Sequence, residues 1–241
     1  MRGPVTEVSL WLRRNRTKIM AFLLIAVFPA ALVLFTRYDN RHYALISLLM
    51  VLLAMGPFLM LYERKRPQPR EWIPLAVMAA IAAVGRAAFA AVPNFKPVSA
   101  IVIITAMVFG PEAGFLTGAV AALASNLFFG QGPWTPWQMF SWGLIGFLAG
   151  VLAKKGWLQK KWQLFLYAAA TGFLYGWIMN IWAGMGFLYD LTWQTYLLLC
   201  VSSFPFDLIH SASTVIFLWL LADSWGAKLR RVKYKFGILT G

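Results

Sequence analysis

The chain has 241 residues, 61% of them hydrophobic and 12% charged, with a mean hydropathy of +0.68. A soluble domain carries about twice that charged fraction, so a solvated globule is excluded and lipid is the solvent for most of the surface. The net charge of +14 sits in short clusters between apolar runs, which fits membrane topology and not a nucleic-acid-binding face.

Residues 1–18 form a basic N-terminal segment, followed by an apolar run over 19–35. No small-residue cleavage site follows it, and a second run over 43–62 comes soon after, so both are expected as retained transmembrane helices rather than a signal peptide. Pro29 and Pro57 fall inside these runs, where membrane helices tolerate them. A basic, proline-broken linker over 63–71 separates this pair from a membrane domain over 72–222. Six spans are expected there, over 72–92, 97–109, 113–129, 136–153, 162–185 and 193–222, with a basic tail over 223–241. The fourth and fifth of the eight spans are divided only by Gly110-Pro111, where proline disfavours a helical residue before it.

Charge counting fixes the expected topology. With both termini in the cytoplasm, the inner segments hold eighteen Lys and Arg residues, including Lys154, Lys155, Lys160 and Lys161. The outer loops hold only Arg37, Arg41 and Lys96. That bias supports an all-α protein of about eight spans in the cytoplasmic membrane of a bacterium. Merging the runs around Gly110 would put Lys154 to Lys161 outside, against the rule.

Small residues recur at helix-packing spacing. The pairs Ala76/Ala80, Ala79/Ala83 and Ala83/Ala87 are spaced four apart along the third span, and Ala76, Ala80, Ala83 and Ala87 suit close approach of another membrane subunit. The pairs Gly114/Gly118, Gly146/Gly150 and Gly172/Gly176 suit packing inside the bundle. Cys200 is a lone cysteine in an apolar run, expected as a filler, so no disulfide forms within the chain.

The topology puts the stretch from Asn126 to Gln138 at the outer surface. Glycine and proline shape the connection. Trp134 and Trp137 offer flat apolar area, and Asn126, Gln131, Thr135 and Gln138 offer neutral hydrogen bonds. A mostly apolar site with a few polar groups suits a small organic ligand, whereas an interfacial aromatic belt would explain the tryptophans alone. Ionisable groups at membrane depth need a reason, and Arg86, Asp207 and His210 are such groups, with Asn180 a further polar one. Arg86 either pairs with Asp207 or meets a ligand; Asn94, Lys96, Tyr189 and Asp190 are rim candidates, and an acidic ligand would find counter-charges in Arg86 and Lys96. No phosphate-cradling, zinc-protease or serine-hydrolase motif is present, so no catalytic residue, metal or cofactor is expected.

From Gly85 onward the chain resembles the substrate-binding S components of energy-coupling factor (ECF) vitamin transporters. The matching stretches are Gly85-Arg86, 93–98, 110–115, Ser125-Asn126 and above all 129–139. The resemblance implies a six-helix bundle that captures a vitamin or its precursor from outside. It also implies a transmembrane coupling (T) subunit and two cytoplasmic ATPases as partners, with Ala76–Ala87 as the coupling contact. The tryptophan-rich loop looks most like that of members assigned to cobalamin-type corrinoids. Two helices ahead of the bundle are a departure from the family. An intramembrane enzyme or an assembly factor without a small ligand is the competing reading.

Overall fold

The computed structural model describes residues 69–188 and 191–238, all helix and connection without a strand among them. The two expected spans ahead of residue 69, and the rim candidates Tyr189 and Asp190, lie outside the described residues. The helices are α1 (Pro69–Ala88), α2 (Val98–Phe109), α3 (Pro111–Phe129), α4 (Thr135–Lys154), α5 (Lys161–Phe187) and α6 (Trp193–Lys235). They correspond one for one to the six downstream spans. Five are long and apolar enough to cross a membrane; α2, at 12 residues, is not.

The boundaries differ from expectation at two places. The third span was expected to reach residue 92, but α1 ends at Ala88, because Pro93 and an Asn94 at φ 55° turn the chain first. The last span was expected to end at 222, yet α6 runs on to Lys235. The intervening Lys, Arg and Leu residues are good helix formers that a hydropathy pattern cannot see. After Gly237, at φ 58°, Ile238 folds back and is buried with Leu75, Val108, Phe109, Ala113 and Leu116.

All six helices run end to end alternately, so one end of the bundle is basic. It carries the Lys154–Lys161 connection and the cationic last turns of α6, where Lys233 Nζ donates to the Val108 carbonyl at 2.7 Å. The Lys161–Asp223 ion pair across this end is 70% and 77% exposed and contributes little. The opposite, distal end holds the α1–α2, α3–α4 and α5–α6 connections.

The central element is α2. Its sequence is apolar all round, and every residue but Met107 is buried among α1, α3, α4 and α6. Gly110, at φ 98°, breaks the chain between α2 and α3, a conformation that glycine adopts without strain. Lipid gives little hydrophobic drive between helices, so close van der Waals contact must hold the bundle. Gly114 lies directly against Gly146, and Gly118 against the Trp142 carbonyl, so α3 and α4 meet backbone to backbone. On the α5–α6 seam, Gly172 lies against the Ser211 amide and the Asp207 carbonyl, and Gly176 makes room for the Asp207 carboxylate.

Candidate functional site: a polar cluster at the distal end

Arg86, in the last turn of α1, points inward. Its Nη1 donates to Ser125 Oγ at 2.6 Å and to Asn126 Oδ1 at 2.7 Å. The guanidinium also lies 4.5 Å from the Phe129 ring centre and 5.1 Å from that of Trp142. A guanidinium only donates, so the oxygen of Asn126 must face it, which turns Nδ2 the other way. That nitrogen donates to Thr135 Oγ1 and to Gln138 Oε1, both at 2.8 Å. Thr135 in turn donates to Gln131 Oε1 at 3.0 Å, and Gln131 Nε2 caps the Leu123 carbonyl at 2.9 Å. One orientation of Asn126 thus orders the whole α3–α4 connection.

A second chain of contacts crosses beneath. Trp142 Nε1 donates to Ser99 Oγ at 3.2 Å, and that hydroxyl lies 2.8 Å from His210 Nε2. The Tyr175 ring packs 4.8 Å from Trp142 and 4.9 Å from His210, with its hydroxyl near Arg86 and Gln138. Trp142 is seven residues into α4, so this layer lies about 10 Å below the end of the helix.

The α1–α2 connection closes one side. Ser213 Oγ accepts from the Lys96 amide at 3.0 Å and donates to its carbonyl at 2.7 Å, pinning the loop to α6. Lys96 Nζ donates to the Phe89 carbonyl. Partial burial, and then the nearby Arg86 charge, hold the Lys96 ammonium below its ordinary pKa.

The sequence-predicted residues therefore fall into groups. Arg86, Asn126, Gln131 and Gln138 form one hydrogen-bonded unit, with Lys96 beside it. His210 joins the layer below. Asn180 and Asp207 stand apart on the α5–α6 seam. There Asn180 Nδ2 donates to Ser203 Oγ at 2.8 Å, and Ser203 donates to Asp207 Oδ2 at 3.0 Å. The open question of an Arg86–Asp207 ion pair is answered in the negative: each has other partners. Trp137 is wholly buried in a core cluster with Phe115, Phe140 and Phe147. Trp134 lies over Gly132 and meets Trp182 edge-on, 6.0 Å between centres. Asn94 occupies the turn itself, half-buried.

Of the alanine stripe, Ala76 and Ala80 are exposed, Ala87 is half-buried, and Ala83 is buried inside the bundle at 3%. The sequence reading missed Ser99, Trp142, Tyr175, Ser203 and Ser213. Isolated hydroxyls and rings within apolar runs carry no pattern of their own.

These features define a multi-pass helical membrane protein with a hydrogen-bonded polar cluster at one end of a six-helix unit. Residues 69–225 match the family model described as ECF-type riboflavin transporter, S component, and the chain belongs to that family. A UPF0397 protein of Vibrio atlanticus (strain LGP32) is 31% identical over 115 residues, covering 42% of this chain and 63% of the relative. UPF0397 proteins of Aliivibrio fischeri (strain MJ11) and Aliivibrio salmonicida (strain LFI1238) are each 30% identical over 82 residues, 32% of this chain and 44% of theirs. The chain thus spans less than two thirds of the length of these curated relatives. No solved structure matches it.

Proposed function

We propose that this protein is the substrate-specific component of an ECF-type importer, capturing a vitamin or vitamin precursor at the outer face of a bacterial cytoplasmic membrane. The observation that carries the reading is the Arg86–Asn126–Gln138 unit at the distal end, an ordered polar group framed by Phe129, Trp142 and Tyr175. By the positive-inside rule the basic end faces the cytoplasm, so the distal end meets the outside. Ring faces beside fixed donors and acceptors suit a flat heteroaromatic ligand. We favour such a ring, as in a flavin, over the corrinoid suggested by the tryptophan loop. Trp137 is enclosed in the core, and Trp134 is engaged with Gly132 and Trp182.

Uptake requires partners, since no nucleotide-binding motif is present. A transmembrane coupling subunit and two cytoplasmic ATPases supply the energy, and the coupling subunit docks on the exposed Ala76/Ala80 side of α1.

A binding screen tests the proposal: purified protein in detergent, with tryptophan fluorescence and thermal shift, against flavins, pterins, folates, thiamine, biotin and corrinoids. Submicromolar binding of one class is expected; no response to any of them would refute capture and favour an enzyme or assembly factor. Orientation is tested with an impermeant thiol label on intact cells carrying Pro133→Cys in a Cys200→Ser background. Pro133 is exposed, whereas Thr135 is only 5% accessible and would escape the label on either side. Labelling only after lysis would refute the assigned direction.

A further inference from the structure

The cation at the heart of the cluster has no counter-charge among the described residues. Arg86 uses Nη1 for both its hydrogen bonds, to neutral oxygens, and its Nη2 and Nε have no acceptor among the described residues. Ring faces and amide oxygens solvate a guanidinium without neutralising it. The carboxylate closest to this layer along α6, Asp207, bonds Ser203 and packs on Gly176 of α5. Asp223 is engaged with Lys161 at the basic end.

A second cation lies close. Lys96 feels the Arg86 charge, and its ammonium reaches only a backbone carbonyl. An arginine near a helix end usually extends toward headgroups and water. Arg86 instead turns to Ser125 and Asn126, which are both fully buried. Two like charges held together, one of them directed inward, repel each other and oppose folding unless something negative occupies the space between them.

We propose that the ligand of this site is anionic, a heteroaromatic compound bearing a carboxylate or phosphate that binds the free Nη2/Nε edge of Arg86 with Lys96 as the second cation. The inference rests on the capture reading above and adds the charge of the substrate. An edge-on guanidinium matches the two oxygens of either group, and Lys96 adds a point charge that requires no particular geometry.

The test compares matched pairs that share a ring and differ in charge: riboflavin with riboflavin 5′-phosphate, pterin with pterin-6-carboxylate, and thiamine with thiamine phosphate. Binding is read by tryptophan fluorescence in lipid-free detergent. For whichever ring binds, the member with the added acid group is expected to bind tighter by roughly tenfold or more. Arg86→Gln should remove that preference. Because Arg86→Gln could also unfold the bundle, Asn126→Asp provides a second arm. It places a carboxylate in the position of the Asn126 amide, against Arg86, where a rotated Thr135 hydroxyl and a flipped Gln138 amide can donate to it, and should keep the protein folded by thermal shift while cancelling the preference. Equal or weaker binding of the acid member, or a preference that survives both substitutions, would overturn the inference and leave the capture reading standing. No binding by either member of any pair, if the wider vitamin screen is also silent, would refute the capture reading itself. A third arm separates soluble ligand from lipid. If phosphatidylglycerol nanodiscs stabilise the protein more than phosphatidylcholine ones, and pair members bind equally, Arg86 holds a lipid headgroup and the inference falls.

Discussion

Gly146→Ala is the sharpest single test of how the bundle is held. A Cβ at this position would stand 2.5 Å from the Gly114 carbonyl carbon and 2.7 Å from Val102 Cγ1, and closer still to the Gly114 oxygen. The obstructing atoms of Gly114 are backbone, so no side chain can swing aside. Ordinary carbon contacts need about 3.5–4.0 Å, so α3 and α4 must part by about 1 Å. A gap of that size forfeits a quarter to a half of each pair's ~0.1–0.2 kcal/mol, and across some 40 atom pairs the loss is about 2 kcal/mol. Measured costs of overpacking, about 1–3 kcal/mol, bracket that figure. Reversible unfolding in mixed micelles should therefore report about 2 kcal/mol of destabilisation for Gly146→Ala. Gly114→Ala should cost a similar amount, since its Cβ would stand 2.9 Å from the Gly146 carbonyl carbon and 2.5 Å from Ala106 Cβ. The double variant should cost less than the sum, because the first methyl has already opened the seam. A change under about 0.5 kcal/mol for either single variant would refute backbone-to-backbone contact as the source of stability.

Three further outcomes are expected. Asn126→Leu removes one hydrogen bond to a cation and two neutral ones from a fully buried position, and should cost about 3–5 kcal/mol in the same unfolding assay; a loss below about 1 kcal/mol would mean that the network is incidental. Lys96 titrates below its ordinary value in the folded protein, so the folded state binds fewer protons in the alkaline window up to about 10.5. Stability should therefore rise with pH as that window is crossed, while affinity for an anionic ligand falls, and Lys96→Met should flatten both profiles. Ala80→Leu enlarges an exposed position on α1 and should impair vitamin uptake by whole cells by roughly tenfold while ligand binding by the purified protein is unchanged; normal uptake would refute the docking assignment.

Five of the six helices were legible because their apolar runs approach the thickness of the hydrocarbon core, and the shorter α2 because Gly110-Pro111 announces a turn at its end. Helix ends were less legible. Residues 89–92 are apolar, so hydropathy carried the span past Ala88, while the turn is set by Pro93 and Asn94. Among site residues, Asn126, Gln131, Thr135 and Gln138 stood out because they cluster within thirteen positions and serve one loop. Their link to Arg86, forty residues away, needed the fold, as did the Ser99–His210 contact across 111 positions. Arg86 and Asp207 invited pairing as the rare charges of their spans. What separates them is the glycine seam: Gly176 brings α5 onto the Asp207 carboxylate, which Ser203 satisfies from one turn away.

The length of α2 explains why the polar cluster lies where it does. Twelve residues of helix rise about 18 Å, some 12 Å short of a hydrocarbon core. At the basic end α2 turns straight into α3 through Gly110, and Lys233 reaches its last turn, so that end is flush. At the distal end the connection over 89–97 takes the place of further helix. The backbone groups of such a connection need partners wherever the chain is enclosed. Ser213 meets that requirement by serving both the amide and the carbonyl of Lys96, and Phe89, Phe95 and Phe217 pack the loop's apolar side. A full-length α2 would extend helix through the region that the 89–97 loop now occupies. Stopping the helix at Val98 leaves Ser99 within reach of His210 and Trp142, with Lys96 close to the Arg86 guanidinium. The short central helix is thus the feature that lets a bundle otherwise built for lipid hold charged and hydrogen-bonding groups at one end.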